Sequence, residues 1–210
     1  MADLIRQQNP PKTADRTIDR FKSRLSGGIA RPNLFEVVLS FPDDVVDPSV
    51  NDLESKARFL VKGAALPAST ITPISVPFRG RQLKIAGDRT FDVWTVTVLN
   101  DTDFAIRSSF ERWMNSIAKV SDNSGNTNPV DYQTDAIVHQ LGRAPVSGAG
   151  SAQDSAVDQP ILRSYQFHGV WPTNISAITL SYDSTDAIEE FDVELQVQWW
   201  EAVGNGGAIA

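Results

Sequence analysis

The stretch Glu190-Phe-Asp-Val-Glu-Leu-Gln-Val-Gln-Trp-Trp200 alternates without interruption: Phe191, Val193, Leu195, Val197 and Trp199 fall on one side, Glu190, Asp192, Glu194, Gln196 and Gln198 on the other. Successive side chains of an extended chain point to opposite faces, so the pattern predicts a strand that buries one face and shows acid on the other. The same period recurs upstream, where Leu34 to Phe41 groups Phe35, Val37, Leu39 and Phe41. Phe91 to Leu99 is β-branched and aromatic on both faces, as a central strand should be. Further candidates are 58–66, 71–78, 81–85, 136–141, 165–171 and 175–182. Pro73 and Pro77 restrict the second of these to an edge or to irregular pairing, and Gly87-Asp88 reads as a break before Phe91. Asp43 to Lys56 reads as an acidic loop with room for one helical turn.

One helix interrupts the β pattern. Ile106, Phe110, Trp113, Ile117 and Val120 recur at steps of four and three, which gathers them on one core-facing side. Asp101, Thr102 and Asp103 precede it and offer an N-cap and negative charge for its N-terminus. The residues alone therefore predict a mainly β domain with one helix.

A chain of 210 residues suits one β-rich domain with extensions, or two small domains, and length favours the first. The expected organisation is a basic N-terminal arm over 1–32, a β domain over 33–201 with a low-complexity insertion at 142–162, and a disordered tail over 202–210. The net charge of −7 conceals an asymmetry. Residues 1–32 hold seven Lys/Arg against three Asp, giving +4, so the remainder carries −11 and has no Lys or Arg after Arg163. A basic arm on an acidic body invites head-to-tail attraction between copies, with Arg16, Arg20, Lys22, Arg24 and Arg31 as the candidate inter-subunit residues. A solvated, disordered tail is the alternative. Nucleic-acid binding by the body is disfavoured, because phosphate affinity rests on clustered cations.

Catalytic chemistry is hard to place on this chain. Without cysteine there is no disulfide, thiolate zinc site, iron–sulfur cluster or cysteine nucleophile. The Gly-x-Ser-x-Gly, P-loop and Gly-x-Gly-x-x-Gly patterns are missing, and Ser147-Gly-Ala-Gly-Ser151 shares only composition with the first. His139 and His168 have no sequence neighbours that would orient them for acid–base work. The row Glu190, Asp192, Glu194 spaces its carboxylates about 6–7 Å apart along a strand face, which suits a solvated acidic surface better than a shared cation site. No enzyme activity, cofactor or metal is expected. Trp199 is expected to pack in the core and Trp200, on the polar face, to meet a partner; Trp199-Trp200 and Trp171-Pro172 leave open a carbohydrate-binding β-sandwich. No apolar run approaches the ~20 residues that span a bilayer, and the N-terminus lacks an apolar signal region. The expectation is a protein made and kept in a cytosol, or released by lysis, with no membrane partner.

The run Pro77-Phe-Arg-Gly-Arg-Gln-Leu-Lys-Ile-Ala-Gly-Asp-Arg-Thr-Phe-Asp-Val-Trp-Thr-Val-Thr-Val-Leu-Asn-Asp-Thr-Asp-Phe104, followed by Phe110-Glu-Arg-Trp113, resembles the tail tube proteins of contractile-tailed bacteriophages. So does Tyr165-Gln-Phe-His-Gly-Val-Trp-Pro-Thr-Asn-Ile175 leading into the alternating strand, and Ser26-Gly-Gly-Ile-Ala-Arg-Pro-Asn33 is similar to the cyanophage-type members. The similarity covers most of 26–141 and 163–201, and 142–162 departs from the shorter members.

The resemblance implies a two-sheet antiparallel β-barrel or sandwich with one flanking helix, like the tubes of phage tails and type VI secretion. It implies hexameric rings stacked head to tail as the inner tail tube, a conduit for genome ejection, in the virion after assembly in the host cytoplasm. Implied partners are further copies of the chain, the tail sheath protein, the tape-measure protein, and the baseplate and tail terminator proteins, with DNA passing the lumen without specific binding. Glu190, Asp192 and Glu194 become candidates for acidic lumen lining. A tube initiator or terminator ring and a type VI secretion tube protein are the alternatives within this class.

Overall fold

The structure is a computed structural model, and it describes residues 17–25, 29–46, 53–143 and 159–204 together with the backbone of 207–208. In chain order its elements are α1 (Ile18–Arg24), β1 (Phe35–Leu39), α2 (Leu53–Leu60), β2 (Val61–Ala64), β3 (Ser69–Phe78), β4 (Arg81–Phe91) and β5 (Trp94–Leu99). There follow α3 (Ala105–Ile117), α4 (Pro129–Tyr132), β6 (Thr134–Leu141), β7 (Ile161–Ile175), β8 (Glu190–Gln196), β9 (Trp199–Gly204) and β10 (Gly207–Ala208).

The strands run β1-β6-β7-β8-β5-β2, every neighbouring pair antiparallel, and β7 belongs to two sheets at once. Its residues 164–168 pair with β9 and its first part with β6, whereas 171–175 pair with β8. The crossing is a bulge. Thr134 faces Val170 and Ala136 faces Phe167, so His168 and Gly169 oppose Asp135 alone, and an extra residue on one strand bends it. Gly169 adopts φ +62°, and a Cβ there would stand 2.6 Å from Gln198 Cγ, so a side chain is both strained and obstructed.

One hydrophobic core joins the two sheets and two helices. Trp94 of β5 and Phe167 of β7 lie parallel, with ring centroids 4.4 Å apart and planes 2° from parallel, and both are fully buried. Val96, Phe191 and Leu195 from one sheet and Val37, Leu39 and Val138 from the other complete the layer. On α3, Ile106, Phe110 and Trp113 are buried and Ile117 is half-buried, and Phe41 meets Phe110 and Trp113 edge-on at 5.2 and 5.8 Å.

Several local expectations change. A second flanking helix, α2, occupies residues expected to be loop and strand; Leu53, Ala57 and Leu60 recur at helical steps and pack on the core, which leaves only Val61–Ala64 as β2. α3 ends at Ile117, its last turn closed by the N–H of Ala118 on Met114, and Val120 is exposed. Its N-terminus starts from Phe104 at φ +53°, where no side chain caps it, although Asp103 Oδ1 accepts the Ala105 N–H. β4 runs through Gly87, which serves a close approach: a Cβ there would lie 2.4 Å from the Thr72 carbonyl oxygen. Of residues 175–182, which alternate as a strand would, Ile175 ends β7 opposite Val193 and the Ser176 N–H still donates to the Asp192 carbonyl, but 177–182 form no strand, and Leu180 and Tyr182 face solvent.

The alternating run at 190–200 is two strands. The chain passes from β8, in one sheet, to β9, in the other, at Val197-Gln198, and the passage inverts the expected faces. Trp200 packs against Phe91 and Tyr165 at the core margin, while Trp199 is 43% exposed. Residues 202–204 continue β9, and Gly207 and Ala208 pair with Gly204 and Val203, where a disordered tail is expected. Residues 144–158 of the insertion and 1–16 of the arm lie outside the described residues.

Trp94→Ala removes the ring that couples the sheets and is expected to cost about 3–5 kcal/mol; urea unfolding followed by far-UV circular dichroism measures it.

Candidate functional site

Two surfaces follow from this architecture. The first is the outward face of the sheet β7-β8-β5-β2. β8 alternates exposed Glu190, Asp192 and Glu194 with buried Phe191, Val193 and Leu195, and β5 sets Thr95 and Thr97 directly across from Glu194 and Asp192. Thr97 Oγ1 donates to Asp192 Oδ1 at 2.6 Å, Thr173 Oγ1 donates to the Glu194 carbonyl, and Lys62 of β2 forms an ion pair with Glu190. The face is thus polar, short-chained and acidic, and Lys62 balances only one of its three carboxylates.

The second surface is the β3–β4 hairpin, a two-stranded sheet of its own. Arg79 at φ +45° and Gly80 at φ +80° make the two-residue turn, both in the positive-φ region that matches the twist of a tight hairpin. Ile71, Ile74, Val76, Phe78, Leu83 and Ile85 are all exposed on it, Phe78 by 67%. Arg79, Arg81, Lys84 and Arg89 stand against Asp88 alone, so the hairpin is basic on an acidic molecule. It leaves the β2/β5 end marked by Ala64 and Trp94. The loop 176–189 leaves from the opposite end of β5, where the Asn100 N–H donates to the Glu189 carbonyl. That loop exposes Leu180, Tyr182 and Ile188 and carries Asp183, Asp186 and Glu189 with no Lys or Arg.

Among the arm residues, Arg20, Lys22 and Arg24 lie on α1, none of whose residues is buried; Arg31 offers its carbonyl to Gln140 Nε2 at 2.8 Å beside β1, and Arg16 lies outside the described residues.

The remaining polar groups are structural. His139 Nδ1 lies 2.8 Å from Ser164 Oγ across the β6–β7 pair. His168 sits at the bulge with Nδ1 2.9 Å from Asp135 Oδ2 and its ring stacked on Trp199 at 3.9 Å, so that exposed indole is covered on one side. Among the described residues no group of three or more His, Asp and Glu is arranged to hold a metal, and no helix is long and apolar enough to cross a membrane. Lys56 of α2 bridges Asp101, at 2.8 Å, and Asp103, pinning α2 to the turn before α3. Lys56 is the main cause that holds both carboxyls below the ordinary Asp range, helped by the backbone N–H groups of Thr102 and Ala105; hydrogen bonds to Asp101 and then Asp103 raise Lys56 in turn.

A bent two-sheet domain with an outstanding apolar-basic hairpin and a clean acidic face has the make-up of a self-assembling structural protein. The family model for phage tail tube proteins matches residues 30–202. Tail tube protein gp19 of Enterobacteria phage T4 is 35% identical over 176 residues, 84% of this chain and 93% of its own. The tail tube protein of Serratia phage KSP90 is 25% identical over 191 residues, 90% of this chain and 97% of its own. The fold also matches a chain of the anti-feeding prophage baseplate, with TM-score 0.53 and 11% identity over 84% of this chain and 96% of that one. It matches a chain from the sheath/tube terminator of the extracellular contractile injection system PVC, with TM-score 0.52 and 12% identity over 83% and 96%. The chain belongs to the phage tail tube protein family, structural components of the virions of contractile-tailed phages.

The Lys56 bridge has a signed pH dependence. Depressed carboxyls contribute stability above the ordinary Asp pKa that is lost as pH falls through their lowered values, and a raised lysine contributes stability that is lost as pH rises through its raised value. Lys56→Met is expected to flatten both limbs of the stability–pH curve, only modestly because the groups are partly solvated; urea midpoints across the pH range test this.

Proposed function

We propose that this chain polymerises as hexameric rings stacked head to tail, forming the inner tail tube through which the genome is ejected. The observation that carries the reading is the β3–β4 hairpin. Among the described residues its strands of ten and eleven residues pair only with each other, and they expose their apolar side chains; a two-stranded ribbon is marginal in water unless something covers it. A second copy supplies the cover. The hairpin and the acidic apolar loop 176–189, which joins β7 to β8, lie at opposite ends of β5, so their contact is heterologous and propagates into a filament instead of closing. Opposite charge guides the approach, and apolar burial holds it.

The acidic face of β8 is placed by this reading on the lumen, where a polyanion meets carboxylates and threonines and finds no cluster of cations to hold it. Sheath protein then packs outside the tube, tape-measure protein occupies the lumen before DNA, and baseplate and terminator proteins meet the two ends. The chain acts without catalysis, cofactor or membrane, assembles in the host cytoplasm, and ends in the virion.

Electron microscopy of the concentrated protein, seeded with baseplates, is expected to show uniform hollow tubes; rings that never extend would make it a cap protein instead. Val76→Glu with Leu83→Glu, two exposed partners on the hairpin, should abolish tubes while leaving the unfolding midpoint unchanged, and tubes of wild-type length would remove the hairpin from the interface. Glu190→Gln, Asp192→Asn and Glu194→Gln together should leave assembly intact and reduce the negative potential of the reconstructed channel; an unchanged channel would put this face elsewhere.

A further inference from the structure

Residues 1–29 of the N-terminal arm precede the stretch matched by the family model, which begins at residue 30. α1 within it is amphipathic: Ile18, Phe21 and Leu25 recur at steps of three and four, while Lys22 and Arg24 carry charge beside them. Ile18 and Phe21 are exposed, by 68% and 63%, and no residue of α1 is buried by the chain's own body.

A matching recess lies at the edge of the sheet that holds β1 and β6. The segment leaving β1, Phe41 to Asp44, and the segment entering β6, Asn126 to Thr134, enclose an open groove of about 530 Å³, within the ~300–1,000 Å³ of concave sites that bury compact ligands. Thr134 Oγ1 donating to the Ser40 carbonyl at 2.9 Å ties its two walls together. Phe41, Pro42 and Val130 give it apolar lining, with Val130 81% exposed, and Asp43, Asp44 and Asp131 charge it. Asp44 accepts only a long 3.4 Å contact from Asn126, Asp131 a similar one from Asn128, and none of the three carboxylates has a Lys or Arg partner among the described residues.

We propose that α1 of one copy seats in this groove of a second copy, Phe21 against Val130 and Pro42, with Lys22 and Arg24 over Asp43, Asp44 and Asp131. Charge complementarity selects the occupant: the arm is +4 over 1–32 and the rest of the chain −11. Polarity favours another copy. The arm joins the body at the start of β1, where Gln140 Nε2 donates to the carbonyls of Arg31 and Leu34, and the groove opens beyond the end of β1 at Leu39. Head-to-tail stacking brings opposite ends of a strand together across the junction. The inference rests on the proposed self-assembly for its second copy but concerns α1, which precedes the stretch matched by the family model.

The chain has no cysteine, so engineered cysteines report without background. Full-length Phe21→Cys is mixed with full-length Val130→Cys bearing a mass tag, assembly is followed by electron microscopy, and mild oxidation is followed by non-reducing gel electrophoresis. A mixed disulfide dimer is expected, lost when the first chain also carries Lys22→Glu and Arg24→Glu and restored when the second then carries Asp43→Lys and Asp44→Lys. Phe21→Cys paired with Val120→Cys, an exposed site that does not line the groove, should give none. Tubes without the mixed dimer would overturn the docking while leaving tube formation intact. A doubly substituted Phe21→Cys, Val130→Cys chain that closes only within itself would overturn it in favour of the chain's own groove. A mixed dimer without tubes would uphold the contact and overturn the polymer.

Discussion

The parallel stack of Trp94 on Phe167 is the contact on which the two sheets depend, because the rings reach from β5 of one sheet to β7 of the other. For Phe167 to belong to the same strand as Pro172 and Ile175, which pair in the sheet of Trp94, β7 has to bend, and it bends at the His168-Gly169 bulge. The glycine conformation, the pairing of β9 with only the first part of β7, and the passage from β8 to β9 are all consequences of that bend. With no cysteine to form a covalent link, burial of aromatic and branched side chains supplies the stabilisation of the core, and Lys56 adds a polar tie between α2 and the α3 turn.

The same geometry divides the labour of the surface. One sheet face is left polar and acidic because the opposite face of the same strands supplies Phe191, Val193 and Leu195 to the core. Nine of the large apolar side chains that the core leaves exposed collect at the hairpin (Ile71, Ile74, Val76, Phe78, Leu83, Ile85) and at the loop 176–189 (Leu180, Tyr182, Ile188), at opposite ends of β5. In a family whose members build tail tubes, this polarity gives each copy an unlike pair of ends.

Much of this was legible in residue order. Period-two alternation located β1 and β8, β-branched and aromatic density on both faces located β5, and the steps of four and three located α3, since these signals depend only on how an element meets the core. The errors occur where the chain changes partner. Val197-Gln198 keeps the alternation in letters while the backbone crosses between sheets, so Trp199 and Trp200 exchange their expected surroundings. The alternation runs on from Ile175, the last residue of β7, to Tyr182 although 177–182 form no strand, and periodicity carries no information about partners. Gly87 resembled a stop because a close backbone approach and a chain break favour the same residue. The second helix was hidden because Leu53, Ala57 and Leu60 sit among acidic and turn-forming neighbours. The groove between Phe41 and Thr134 joins segments some ninety positions apart, as the Thr134 to Ser40 bond shows, and no local pattern announces it.

The exposed hairpin also bears on when assembly begins. Holding a long ribbon in order costs conformational entropy of about 1–2 kcal/mol per residue, and a free copy recovers little of it because its hairpin buries almost nothing. The remainder is recovered only against a surface that is already in place. Two free copies meeting in solution each bear that cost for a single contact, whereas a copy joining a finished ring is received by several neighbours at once. In the polymer proposed above, growth would then be limited by nucleation: the subunit pool would stay quiet until a template exists, and elongation from that template would meet no comparable barrier.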